Sequence, residues 1–195
     1  MSISYYNKHA QEFFNATAHA DMSALHARFL HHLLPGARIL DAGCGSGRDA
    51  LAFTQAGFQV TAFDASAEMV RLATANTGLP VIQMAFNEIA WENTFHGIWA
   101  CASLLHVPRA DLAPVSARLV RALVPGAIIF MSFKLGESER EKDGRCFTDM
   151  TELLLAKLLD EIGSERLELW QSEDARPGRE SEKWVSTIVR RQAFS

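Results

Sequence analysis

Apolar and polar positions change period repeatedly along this 195-residue chain, and the changes mark out a succession of short elements. Residues 4–17 place Tyr6, Ala10 and Phe13 or Phe14 at helical spacing. Asp21 stands where it can cap a second helix whose Leu25, Phe29 and Leu33 form one stripe, stopped by Pro35-Gly36. Ile39-Leu40 is an apolar run of strand type. It leads into Gly43, Gly45 and Gly47 and then into a helix from Arg48 that ends at Gly57. Residues 59–64 form a second strand closed by Asp64. Ser66 caps a further helix carrying Met69, Val70 and Ala73, and residues 81–86 follow as a third strand after Gly78 and Pro80. Residues 95–103 are a fourth, fully buried strand before a loop at 104–108. A helix starting near Asp111 aligns Leu112, Val115, Leu119, Val120 and Leu123, with Pro114 tolerated in its first turn. Residues 127–133 make the fifth strand and 134–145 a long polar loop. Asp149 and Glu152 suit the start of a helix bearing Leu155, Leu158, Leu159 and Ile162. Residues 167–171 and 184–189 are closing strands joined by the polar stretch 175–182, so they are expected to pair antiparallel.

Strand-helix alternation predicts an α/β, three-layer doubly wound sheet, with a ligand lying beyond the carboxyl ends of the strands. That rule exposes residues 43–47, 64–66, 86–89, 103–106 and 133–136. Composition adds limits. At 48% hydrophobic and 22% charged, the chain suits one globular domain over 1–195, with residues 1–34 as a helical cap and 35–195 as the core. A net charge of -4 gives no global attraction to nucleic acid or to an anionic membrane and favours a small-molecule partner. No apolar run approaches the roughly 20 residues of a membrane helix and the first eight residues lack a secretory pattern, so the expected location is the cytoplasm. Cys44, Cys101 and Cys146 lack zinc spacing and read as reduced thiols.

The candidate chemistry gathers on the glycine turn. It follows a strand, opens a helix and is succeeded by an acid at the end of the next strand, the context in which such a turn holds a nucleotide-like cofactor. Asp64 is placed to accept from vicinal ribose hydroxyls, the alternative being a helix-capping acid. The spacing of Asp41-Ala-Gly-Cys-Gly-Ser-Gly47 is G-x-G-x-G, whereas a dinucleotide turn would need its third glycine at Arg48.

With Val60-Thr-Ala-Phe-Asp64, Ser66-Ala-Glu-Met69 and the turn at Pro125-Gly126, this set resembles the class I S-adenosylmethionine-dependent methyltransferases. The resemblance implies a seven-strand Rossmann-like sheet in order 3-2-1-4-5-7-6 with strand 7 antiparallel, and S-adenosylmethionine as cofactor. It places Gly43, Cys44, Gly45 and Gly47 along the methionine part, Asp41 near its amino end, Asp64 on the ribose, and Ala65 and Met69 about the adenine. Asn87 or Glu88 would meet the adenine amino group, and Ser103 and Leu104 would lie near the sulfonium and the acceptor. Gly47-Arg48-Asp49 also resembles the tellurite-resistance and thiopurine-type branch, although Arg48 as a solvated first-turn side chain and Asp49 as a helix-start acid account for the same residues.

Tyr5, Tyr6 and Phe14 resemble the aromatic N-terminal segment that closes over the cofactor in small methyltransferases; ordinary helix packing is the alternative. His106, after the fourth strand, is the first candidate for a base and Tyr6 the second, although an activated methyl donor does not by itself require one. His31-His32 and the other histidines lack ligand spacing, so no metal is expected. Arg140, Arg145, Arg176 and Arg179 stand among acids and read as a solvated charge run rather than an anion site, and Trp170 and Trp184 read as sheet core. The expected function is methyl transfer to a small-molecule nucleophile. A non-catalytic cofactor-binding or regulatory module and a nicotinamide-dependent oxidoreductase are the alternatives.

Overall fold

Each buried strand presents successive side chains to opposite faces, and here both faces are apolar, so the central strands must be covered on both sides. In the computed structural model, which describes residues 2–176, 178–179 and 181–192, this produces helices on each face of one seven-stranded sheet. The elements are α1 (Ser2–Thr17), α2 (Ser23–Leu30), β1 (Arg38–Ala42), α3 (Arg48–Gln55), β2 (Gln59–Asp64), α4 (Ala67–Thr77), β3 (Ile82–Gln83) and β4 (Phe95–Ala100). They continue as α5 (Arg109–Ala122), β5 (Leu123–Lys134), β6 (Glu139–Lys142), β7 (Arg145–Thr148), α6 (Glu152–Glu161), β8 (Ser164–Glu173) and β9 (Lys183–Arg191). The sheet order is β3-β2-β1-β4-β5-β9-β8. Strands β1 to β5 are mutually parallel, and β9 is antiparallel to both neighbours. With the β6–β7 hairpin set aside, this is the expected order 3-2-1-4-5-7-6.

The pleat divides the core. Ile39, Trp99, Ile128, Phe130 and Ile188 pack with Phe29 of α2 and Phe53 of α3. Leu40, Ile98, Ile129 and Met131 pack on the other face with Leu112, Val115 and Leu119 of α5 and Leu155, Leu158 and Leu159 of α6. A separate cluster joins Ala10, Tyr6, Phe13 and Phe14 of α1 to Met69 and Leu72 of α4, which lays α1 beside the glycine turn. Asn7 strengthens that seat: its Oδ1 accepts from Ser66 Oγ at 2.7 Å.

Several expectations about single elements are corrected. The third strand is confined to Ile82 and Gln83, and Phe86–Glu88 is a 3-10 turn. The polar loop at 134–145 instead contains the β6–β7 hairpin, turned at Asp143 (φ 54°) and Gly144 (φ 73°). Asp21 does not occupy the N-cap position of α2, which Met22 takes, but its Oδ1 accepts from Ser23 N at 2.9 Å. The cap of α6 is Thr151, whose side chain accepts from Leu154 N at 3.2 Å; Asp149 is bound by Arg140. Because α5 begins at Arg109, Pro114 lies in its second turn, and Ala110, whose carbonyl loses a helical partner, is an exposed residue.

Candidate active site

The glycine turn is fastened to the end of β2. Gly43 N and Cys44 N both donate to Phe63 O, at 3.0 and 2.9 Å, and Gly45 N donates to Asp64 Oδ2 at 2.9 Å. Gly43 and Gly45 have φ of 76° and 53°, in the left-handed region. A Cβ on Gly43 would stand 2.7 Å from Ser103 Cβ, so the β1 turn and the end of β4 approach as closely as backbone allows. Gly47 has a different duty: a Cβ there would meet Thr77 at 2.7 Å, so it lets α3 start against α4, and it lines neither of the two cavities described next.

Two cavities open over this turn. The smaller, about 470 Å³, is lined by Gly43, Gly45, Asp64, Ala65, Met69, Phe86, Asn87 and Ser103. The larger, about 730 Å³, is lined by Asp41, Gly43, Cys44, Gly45, Tyr5, Tyr6, Arg48, Lys134 and Arg145, with further residues of β9 and the β6–β7 hairpin. Tyr6, Phe13, Gly43, Gly45, Ala102 and His106 border both, making one cleft with Asp64 in one arm and Asp41 in the other.

The carboxylates in this cleft differ in what satisfies them. Asp64 accepts from Gly45 N and Ser66 N, both at 2.9 Å, and each oxygen keeps lone-pair capacity for a ligand. Burial pushes its carboxyl up in spite of those bonds. Asp49 is 5% exposed. It accepts from Arg48 through both oxygens at 2.8 Å, from His26 Nε2 at 2.8 Å and from Trp99 Nε1 at 2.8 Å. Burial would raise its pKa, but the bonds from Arg48 and His26 outweigh that and hold it below the usual carboxylate range. Asp41 is 2% exposed, and its Oδ2 has no hydrogen-bond partner. Burial, followed by repulsion from Asp49, raises its pKa well above the ordinary 3.8. A buried acceptor left open beside a cavity suits a cationic donor supplied by a ligand.

At the junction of the two arms, Tyr6 Oη lies 2.7 Å from His106 Nε2, and His106 Nδ1 lies 2.7 Å from Cys146 O. A carbonyl only accepts, so Nδ1 carries the proton and Nε2 accepts from the tyrosine. Burial lowers the His106 pKa to about 4 and raises that of Tyr6 to about 12, the latter partly opposed by the Arg145 guanidinium beside the hydroxyl.

Of the residues singled out from sequence, Asp41, Gly43, Cys44, Gly45, Asp64, Ala65, Met69, Asn87, Ser103, Tyr6 and His106 therefore meet at one cleft. Leu104 does not: it is fully buried in the core, and Leu105 lines the larger cavity instead. Glu88 is engaged locally, its Oε2 accepting from Ala85 N at 2.7 Å, which leaves Asn87 at the cavity wall. The arginine-rich run is solvated only in part, with Arg179 half exposed and Arg145 and Arg176 mostly buried. Arg140, Arg145, Arg176 and Arg179 line the larger cavity, as does Trp184, which is partly buried and packs against the core on its other side; Pro177 and Glu180 of that run lie outside the described residues. Arg48 likewise is mostly buried and paired with Asp49. Phe86 lies in the 86–89 stretch expected at the strand ends, whereas Phe13, expected only as a helix position, and Ala102 are cleft residues that carry no distinguishing sequence signal. Among the described residues no group of three or more His, Cys, Asp or Glu is placed to hold a metal, and no helix is long and apolar enough to cross a membrane.

Comparison with known proteins agrees with this geometry. A family model described as a methyltransferase domain matches residues 39–126. The ubiquinone biosynthesis O-methyltransferase of Xanthomonas campestris pv. campestris (strain B100) is 33% identical over 106 residues, covering 51% of this chain and 44% of that protein, so the match spans less than half of the relative's length. Among solved structures, 1,6-didemethyltoxoflavin-N1-methyltransferase of Burkholderia thailandensis, bound to 1,6-didemethyltoxoflavin and S-adenosylhomocysteine, superposes with a TM-score of 0.79 at 22% identity, over 98% of this chain and 86% of its own. The [4+2]-cyclase SpnF superposes at 0.76 and 17% identity, over 99% and 96%. At such identities the structural likenesses establish the fold. The matched segment holds the glycine turn, Asp64 and the strands around them, and the remainder of the chain completes the same sheet, so residues 39–126 are similar to a methyltransferase domain and the whole chain has the fold of the solved methyltransferases.

Proposed function

We propose that this protein binds S-adenosylmethionine along the cleft and directs its methyl group to a small-molecule nucleophile. The observation that carries the reading is the continuous cleft over the glycine turn, with a ribose-type carboxylate, Asp64, in one arm and the unsatisfied, buried Asp41 in the other. In this reading Asp64 accepts from the ribose hydroxyls, Asn87 meets the adenine edge, and Ala65 and Met69 flank the ring. Asp41 receives the ammonium, and Gly43, Cys44 and Gly45 pass their backbone along the methionine chain. Residues 1–34 act as the cap, with Tyr6 and Phe13 facing the junction.

When bound along Asp41, Gly43, Cys44, Gly45 and Asp64, the cofactor would supply a methyl carbon already activated by its sulfonium. The chain's task is then to align the acceptor and exclude water. Tyr6 donates its proton to His106, and its oxygen, one lone pair of which faces the Arg145 guanidinium, keeps the other to accept a proton from the nucleophile. A hydroxyl becomes strongly acidic as it is alkylated, and its proton passes to Tyr6 Oη while the Tyr6 proton moves to His106 Nε2. An imidazole near 4 suffices for that transfer.

The test is calorimetric titration with S-adenosylhomocysteine, together with its release from S-adenosylmethionine across a panel of O, N and S acceptors. Binding that Asp64→Ala weakens by about 1.5–3 kcal/mol, with release stimulated by an acceptor, is expected. Unchanged affinity in that variant sinks the cofactor placement. Binding with no release from any acceptor favours a non-catalytic module, or chemistry of another kind on the same fold, as SpnF's own name indicates for that protein.

A further inference from the structure

The cations around the larger cavity are unequally satisfied. Arg48 is paired through two hydrogen bonds with Asp49, Arg140 through two with Asp149 (3.1 and 2.9 Å), and Arg176 through two with Asp174 (2.8 and 2.6 Å). Lys134 and Arg179 share Glu182. Lys142, which also lines the cavity, has no ion pair among the described residues but is exposed to water, whereas Arg145 is mostly buried. Among the described residues its ion-pair partner is Asp143 at 3.5 Å, whose side chain is 60% exposed, whereas the arginine is 18% exposed and its Nε is buried with no hydrogen-bond partner among them. An ion pair with so exposed an acid is worth little, so the guanidinium charge is still largely uncompensated.

Rings hold this side chain in place instead. Its guanidinium carbon lies 4.2 Å from the Tyr5 centroid and 5.1 Å from that of Phe147, while the Tyr6 hydroxyl lies beside the group. A planar fork of donors, packed against aromatic faces at a cavity wall, with Nε unpartnered among the described residues and the Tyr6 hydroxyl as a hydrogen-bond neighbour, matches a planar oxyanion. The same cavity is walled by Tyr5, Tyr6, Phe13, Phe147 and Trp184, which suit a flat body.

We propose that the methyl acceptor is a flat, aromatic or conjugated small molecule carrying a carboxylate, and that Arg145 holds the carboxylate while the aromatic walls hold its ring. This rests on the methyl-transfer reading and names the substrate class of the same site. Placing the anion on Arg145 would also seat the acceptor beside Tyr6, at the junction where the two arms meet.

The experiment compares acids with their neutral amides: benzoate, indole-3-carboxylate and quinoline-2-carboxylate, each against its carboxamide, titrated calorimetrically into protein saturated with S-adenosylhomocysteine. In at least one pair the acid is expected to bind at least about tenfold more tightly than the amide, as a charge-assisted contact implies. Arg145→Gln should erase that preference while leaving S-adenosylhomocysteine affinity intact, which also reports an intact fold. If that variant does not fold, Arg145→Lys keeps the charge without the fork and should lower the preference at least about threefold. The proposal is overturned if no acid outbinds its amide or if the preference survives in the folded variant. It is equally overturned if Arg145→Gln weakens the cofactor product alone, which would assign the guanidinium to the cofactor's own carboxylate. Failure of S-adenosylhomocysteine to bind wild type would instead sink the methyl-transfer reading, a separate result.

Discussion

Replacing Asp41 by Asn should change stability and cofactor binding in opposite directions. In the free protein the Asp41 carboxylate is 2% exposed, accepts from Ala50 N–H, leaves Oδ2 without a partner and is repelled by Asp49. Asn keeps an oxygen for Ala50 and replaces the open, charged oxygen with a neutral amide. An unsatisfied buried neutral group costs less than a charged one, so the free variant should gain on the order of 1 kcal/mol near pH 8, or about 2–4 °C in Tm for a chain of this size. The folded protein holds the carboxyl's pKa above its ordinary 3.8, so the group costs nothing when both folded and unfolded states are protonated. Its cost grows as pH rises from there through the folded value. The Asn advantage should therefore vanish near pH 4 and be larger near pH 8. Binding should suffer, because the ammonium loses its charged acceptor: about 1.5–3 kcal/mol, or roughly ten- to hundredfold in the affinity for S-adenosylhomocysteine. Thermal unfolding at the two pH values, with and without that ligand, measures both quantities. A free variant less stable than wild type near pH 8, an advantage independent of pH, or an unchanged affinity would refute the reasoning.

Gly43→Ala combines a left-handed φ with a 2.7 Å clash against Ser103 and should cost about 2–5 kcal/mol and most cofactor affinity, whereas Gly126→Ala, with φ 80° and open space around it, should cost only about 1–2 kcal/mol. Urea unfolding of the two variants makes the comparison, and equal losses would show that crowding at Ser103 is unimportant. Trp99→Phe removes the buried 2.8 Å bond to Asp49 and should destabilise by about 1.5–3 kcal/mol; a loss below about 0.5 kcal/mol would mean that Arg48 and His26 satisfy the carboxylate without it. His106 is held neutral when folded, near 4 against its ordinary 6.5, so stability is lost as pH falls through that window, by up to about 3 kcal/mol, and His106→Gln should flatten that part of the profile. His106→Ala should also slow release of S-adenosylhomocysteine with a hydroxyl acceptor by roughly tenfold or more while leaving its binding unchanged, and full turnover would remove the imidazole from the proton path.

How much of this was legible in the sequence follows from the distance over which each feature is decided. The cap of α4 by Ser66, the glycine turn and Asp64 are local arrangements, and each residue type is nearly dictated by the backbone it must support. The third strand was over-read because pairing needs a partner. Val81 to Phe86 is apolar enough to extend, but only Phe63 and Asp64 of β2 find partners there. The β6–β7 hairpin was overlooked although Asp143-Gly144 is a turn signal for a two-residue hairpin. Its strands lack alternation because they are held by Arg140 on Asp149 and by cations over Phe147, contacts formed only after folding. Asp149 misled for the same reason: as an acid near a helix start it resembles a cap, and its actual partner lies across the hairpin. The site divides the same way. Tyr6 and His106 meet across 100 residues, and Arg145 reaches the cavity because β7 hydrogen-bonds to the start of α1 through Cys146 N and Ser2 Oγ at 3.1 Å. Side chains that hold a common cofactor sit on the local turns that fold the first half of the chain. Those that would choose an acceptor are brought in by long-range contacts, so the acceptor's charge can be inferred only once the weakly paired, mostly buried Arg145 is seen beside Arg48, Arg140 and Arg176, each held by a carboxylate through two hydrogen bonds.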